Sequence, residues 1–315
     1  MQRRTLLAMT GAAFSGNIAR AATPPIIDTH IHLFDTGRPG GVPWPEKKDT
    51  VLYKPSLPER YRRITAPFGI RGYIVVEASP LLEDNQWVLD TGGRDSRFLG
   101  MVGNLKAGQA DFGKHFERFH RNPLFLGIRY GNIWDYDLGR EVTKPAFLSD
   151  MKTLADAGLE LDTADQDPAL IHAVVRLTDR VPSLRVVIDH LPQMDPPRDE
   201  KARRAVQEDL RELARRPQVY VKVSEVPRRV NGKVPEDLGF YRSRLDEVWE
   251  TFGADRLVYG SDWPNSDIWG PYGLALGLVT KYFSGKGQTA SEKFFWRNSV
   301  AAYHWKARDP GQPHV

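Results

Sequence analysis

Ile26-Ile27-Asp28-Thr29-His30-Ile31-His32 is the stretch from which the rest of the chain is best read. Its β-branched, apolar start and polar end mark a strand. Side chains along a strand alternate between faces, so His30 and His32 point the same way. Two later stretches follow the same grammar. Val186-Val187-Ile188-Asp189-His190-Leu191-Pro192 is a short apolar run that ends in a histidine and a structure-breaking proline. Leu257-Val258-Tyr259-Gly260-Ser261-Asp262-Trp263-Pro264 ends in a carboxylate set in a Gly-Ser turn. In each, the chemically useful residue falls at the C-terminal end of a buried strand.

Working outward, eight such runs are expected as strands, at residues 25–31, 72–77, 98–104, 124–129, 159–163, 185–189, 219–223 and 256–259. Most are continuously apolar, as strands covered on both faces are. Helical stretches separate them, among them residues 112–121, 201–216 and 240–252. The clearest is 201–216, where Ala205, Leu210, Leu213 and Ala214 recur at helical spacing. Alternating β and α units imply a parallel sheet. Eight of them point to a closed (β/α)8 TIM barrel, an α/β fold, in one domain over residues 23–315. The 315 residues exceed the roughly 250 such a barrel needs. The surplus is expected in two insertions at the C-terminal face, residues 35–60 with Trp44 and residues 265–277 with Trp269 and Tyr272.

Composition narrows the function classes. With no cysteine, disulfides, thiolate metal sites and a cysteine nucleophile are excluded. The formal charge is +4, but Arg3, Arg4 and Arg20 belong to the leader read below, which brings the remainder close to neutral. The other basic residues, such as Arg203-Arg204 and Arg215-Arg216, are interspersed with acids on helix faces, so no nucleic-acid partner is expected. Residues 1–22 pair Arg3-Arg4 with a short, weakly apolar run and a small-residue end at Ala21-Ala22. That is the layout of a cleaved signal, and the arginine pair resembles a twin-arginine signal. A periplasmic or secreted location is expected. No later stretch is apolar for the ~18 residues a spanning helix requires, so no membrane partner is expected for the mature form.

Each candidate site residue also has a structural reading. His190 could be a hydrogen-bonded core histidine, and Asp262 an N-cap for the next segment. Arg129 could be one half of an ion pair, and Lys222 the partner of a barrel carboxylate. Only a barrel brings the ends of strands one, six and eight to a common mouth. There His30, His32 and His190 can polarise a substrate oxygen or bind a metal, and Asp262 can act as general base.

The set Asp-x-His-x-His, Ile-Asp-His-Leu-Pro and Tyr-Gly-Ser-Asp-Trp-Pro resembles the amidohydrolase superfamily. The nearest branch contains 2-pyrone-4,6-dicarboxylate lactonase and sugar-acid lactonases. Gly127-Ile128-Arg129 and Tyr220-Val221-Lys222-Val223-Ser224 agree with it. The resemblance implies a lactonase that opens a small polar or anionic lactone. Asp262 would deprotonate water and the three histidines would stabilise the oxyanion, while Arg129, Trp263 and Lys222 would contact substrate. The fifth strand lacks the histidine of many metal-binding members, and no lysine ends the fourth, which argues against a binuclear site. One divalent metal such as zinc on His30, His32 and Asp262, completed by Glu77 or water, stays open beside a metal-free site, which the branch also contains. A zinc-dependent decarboxylase is the second enzymatic reading, and an exported, catalytically inactive binding protein is the non-enzymatic one.

Overall fold

The computed structural model describes residues 24–164, 167–190 and 196–314. The expected leader, residues 1–22, lies outside them. Among the described residues there are eight strands: β1 (Ile26–Ile31), β2 (Ile70–Val76), β3 (Phe98–Gly103), β4 (Phe125–Arg129), β5 (Glu160–Asp162), β6 (Arg185–Ile188), β7 (Val219–Val223) and β8 (Leu257–Tyr259). They form one parallel sheet in chain order, each pairing with the next. Closure between β8 and β1 comes just past the strand ends. The Asp262 amide donates to the His30 carbonyl at 2.8 Å, and the His32 amide to the Trp263 carbonyl at 2.7 Å. The result is the expected (β/α)8 barrel.

Helices pack on the outside. In Glu200–Ala214, Asp199 caps the first turn by accepting from the Ala202 amide at 2.8 Å. Val206, Leu210, Leu213 and Ala214 make its buried face, so Val206 takes the place expected of Ala205, which is exposed. Pro168–Arg180 starts on an Asp167 cap with proline in its first turn, where the missing N–H costs nothing. The expected insertion at 265–277 is shorter than its composition suggested. It comprises a single 3-10 turn, Asn265–Ile268, and the opening turns of the helix Tyr272–Ser284.

Among the described residues two apolar cores result. The larger lies between sheet and helices and includes Phe98, Phe125, Phe147 and Leu177. The smaller fills the barrel axis with Ile27, Ile74, Leu126, Val187 and Val258. Trp296, Tyr303 and Trp305 from the C-terminal segment join that inner core and plug the N-terminal end. Above the plug sits a charged layer. Lys222, wholly buried, donates to Asp162 at 2.5 Å and forms an ion pair with Asp189 at 2.7 Å. Tyr303 also donates to Asp162, at 3.0 Å. Lys222 is therefore a barrel ion-pair partner rather than a substrate contact. Among the described residues no helix is long and apolar enough to cross a membrane.

Candidate active site

The strand ends deliver four of the expected residues to one place. His30 and His32 project from β1, His190 follows β6 and Asp262 follows β8. The Nε2 atoms of His30 and His32 lie 3.3 Å apart. Asp262 Oδ1 is 3.3 Å from the first and 3.1 Å from the second. His190 stacks on His30 with ring centres 5.0 Å apart, its Nδ1 lying 2.9 Å from Ser224 Oγ. Backbone strain accompanies this convergence. His190, Glu225 and Asp262 have φ of 65°, 49° and 59°, a left-handed region that costs non-glycine residues on the order of 1–3 kcal/mol each. Three strand ends in one cluster hold this conformation, as they do where function dictates the backbone.

Protonation follows from the partners. His32 Nδ1 lies 3.0 Å from the Val76 carbonyl, which can only accept, so Nδ1 carries the hydrogen and Nε2 is left as a lone pair. Burial, with the Arg129 charge nearby, lowers the His32 pKa to about 4, so the ring is neutral at neutral pH. Burial likewise holds His30 well below the ordinary histidine range, with Lys222 and His32 adding to the effect. Asp262 is pushed up to about 8, chiefly by burial and then by the Glu225 charge, against the opposing pull of His190 and Asn265. Its Oδ2 accepts from Asn265 Nδ2 at 2.7 Å, and the same amide reaches Glu225 at 2.9 Å.

These donors fit a divalent cation. The lone pair of His32 faces a carboxylate oxygen, an arrangement that is repulsive unless a proton or a cation lies between them. The three separations of 3.1–3.3 Å come close to the ~3.3 Å between ligands of a tetrahedral zinc with bonds of ~2.0–2.1 Å. The Val76 carbonyl behind His32 is the kind of outer partner that fixes a ligating imidazole. Glu77, expected as a further ligand, is committed elsewhere. It accepts from Trp134 Nε1 at 3.0 Å and from the Ser79 amide at 2.8 Å.

A pocket of about 370 Å³ opens above this centre, lined by His32, Glu77, Arg129, His190, Asp262 and Asn265, with Trp44 and Trp134 as aromatic walls. Arg129 reaches it, but its Nε is engaged by Asp189 at 3.1 Å and by the Thr163 carbonyl at 3.2 Å. Trp263 does not line it. Its ring is fully buried in the outer core against Tyr61, with Arg60 stacked over it. Asp28 is likewise held away, receiving hydrogen bonds from Tyr61, Tyr272 and the Ser261 amide. Reading the sequence missed Glu225, Asn265 and Trp134. Trp44 was visible only as the aromatic of an insertion.

A family model described as Amidohydrolase matches residues 27–305. The chain belongs to the amidohydrolase family. This amidohydrolase is 30% identical over 253 residues to the L-fucono-1,5-lactonase of Burkholderia ambifaria, covering 78% of this chain and 83% of that protein. Its fold is similar to that of a Burkholderia multivorans amidohydrolase solved with bound zinc, at TM-score 0.78 and 20% identity over 90% of this chain and all of the other. A Pseudomonas putida protein assigned as a 2-pyrone-4,6-dicarboxylic acid hydrolase is similar at TM-score 0.67 and 21% identity, covering 89% of this chain and 97% of that one. The family resemblance carried by the strand-end motifs is borne out, and the enzyme is a hydrolase.

Proposed function

We propose that this amidohydrolase adds water to the carbonyl of a small, neutral sugar lactone and releases the open hydroxy acid. The observation that carries the proposal is the placement of Asp262 Oδ1 against the two β1 histidines at the floor of the pocket. The relative named L-fucono-1,5-lactonase supports the substrate class. So does the lining, in which Asp262 stands against a cation, Arg129, that is already paired with Asp189. Such a lining suits hydroxyl donors better than the anionic lactone that the sequence also admitted.

Asp262, as carboxylate, accepts a proton from the attacking water while the new C–O bond forms. His190 and the Arg129 guanidinium, both facing the pocket, are placed to donate to the carbonyl oxygen as it gains charge. The ring C–O bond then breaks, and the proton on Asp262 passes to the departing alkoxide. Asn265 orients the carboxylate through Oδ2. A divalent metal such as zinc would be held by His30, His32 and Asp262, where it would supply a Lewis acid and a lowered water pKa. The zinc in the Burkholderia multivorans structure favours that option. We also propose export through residues 1–22, on the Arg3-Arg4 pair and the small-residue end of the leader; N-terminal sequencing of the protein from a periplasmic fraction tests it.

The decisive assay is ring opening of L-fucono-1,5-lactone and related sugar lactones, beside 2-pyrone-4,6-dicarboxylate, with and without chelator. Turnover is expected on the neutral lactones. Asp262→Asn should reduce kcat by at least about 10²-fold while the fold is kept. Full activity of that variant, or release of carbon dioxide from an aromatic acid in place of ring opening, overturns the proposal.

A further inference from the structure

Among the pocket's walls, Trp134 has an unusual support. It does not sit at a strand end but in the loop after β4, and its backbone is left-handed at φ 55°, with Asp135 following at 63°. That region is uncommon for a bulky side chain and persists only where neighbours enforce it. The polar partner of its ring is Glu77, buried to 3% exposure just past β2. Both of its carboxylate oxygens lie 3.0 Å from Trp134 Nε1, the single polar atom of the indole. The Ser79 amide, donating to Oε2 at 2.8 Å, keeps the carboxylate from turning away. A charge-assisted bond of this kind is stronger than a neutral one. It directs the edge of the indole toward Glu77 and leaves the ring among the pocket-lining groups.

We infer that Glu77 is a positioning residue that fixes the Trp134 indole as a binding wall, and so sets affinity for the ring of the substrate rather than the rate of its opening. The apolar C–H face of a sugar ring is the surface such a wall receives, with Trp44 also in the lining. Glu77 thus acts on substrate through Trp134 and lies outside the ligand set of any bound cation. The kinetic arm of this inference rests on the lactonase proposal; the spectroscopic arm does not.

Protein labelled with ¹⁵N-tryptophan has eight indole N–H groups to observe. Trp134→Phe identifies its own signal by removing it. In Glu77→Gln that one signal should shift upfield as the charged acceptor is lost, with the others unmoved. With L-fucono-1,5-lactone, each single variant should raise KM about tenfold, from the loss of roughly 1.4 kcal/mol of aromatic contact, and leave kcat within about twofold. The double variant should be no worse than Trp134→Phe alone, as expected of residues acting through one contact. Bound zinc per chain should stay at the wild-type level. A Glu77→Gln protein with lowered kcat and unchanged KM, or with lost zinc, overturns the inference. A wild-type chain inert on the lactone would overturn the substrate proposal alone. The indole signal then decides, and an unmoved signal in Glu77→Gln refutes the positioning role. Should that variant not fold, Glu77→Asp draws the carboxylate back from the indole by one methylene; it should still move the Trp134 signal and raise KM, and an unmoved signal refutes the role as before.

Discussion

At the scale of residues, Asp262 Oδ1 faces the unprotonated Nε2 of His32, and that contact has a consequence for pH. Without a cation, the proton that burial pushes up to about 8 stays on the carboxyl through neutral pH. The working base is the carboxylate, so kcat/KM of chelated protein should climb with rising pH and level off above about 8. A divalent cation favours the ionised form and should move this break to lower pH. Profiles of chelated and zinc-reloaded enzyme, corrected for spontaneous ring opening, would show the displacement; a chelated profile flat through neutrality refutes it. His30, His32, His190 and Asp262 were legible in the sequence because each ends an apolar run. Glu225 and Asn265 were not, because they lie just past strand ends in segments without periodicity. Their relation to Asp262 depends on two left-handed turns that no pattern announces.

At the scale of elements, the charged layer ties β5, β6 and β7 together beneath the site. Lys222 balances Asp162 and Asp189, and Asp189 in turn reaches Arg129 and, at 3.7 Å, His30 Nδ1. Lys222→Met removes one buried cation from between two carboxylates. It should cost about 3–5 kcal/mol in urea unfolding, because a charge left without its partner in the interior is expensive. A loss below about 1 kcal/mol would mean that the layer rearranges freely. The sequence admitted Lys222 both as a substrate contact and as a carboxylate partner, since both readings need only a lysine on an inward-facing strand position. The strands themselves were legible to within about two residues, because continuous apolar runs are what burial on both faces requires. The three expected helix starts agree as closely, with helices beginning at Phe112, Glu200 and Leu238, but a further helix went unread. Tyr272–Ser284 begins after a glycine- and proline-rich stretch whose composition reads as loop.

At the scale of the whole molecule, the barrel is closed below by a segment the sequence did not flag. Trp305 is buried in the inner core, and its Nε1 donates to Ser299 Oγ at 2.9 Å. Arg308 donates to the carbonyls of Gly93, Asp95 and Phe98, which fastens the end of the chain under β3. The segment carries helical spacing, with Trp296 and Tyr303 two turns apart, but nothing in that spacing says which core its aromatics fill; they matter only once a barrel exists to be filled. Trp305→Ala should destabilise the fold by about 3–5 kcal/mol and leave kcat per folded molecule unchanged, since the plug and the pocket occupy opposite ends. Denaturation and active-site titration together separate the two effects.

The seam between first and last strands joins these scales. The backbone hydrogen bonds that shut the ring, from Asp262 to the His30 carbonyl and from His32 to the Trp263 carbonyl, involve the three residues, His30, His32 and Asp262, whose side chains form the reactive centre. Any breathing motion that parts the ring there pulls the base from the imidazoles in the same movement. Heat inactivation and the first step of melting should therefore be one event, and a staple across this joint would protect turnover and shape together.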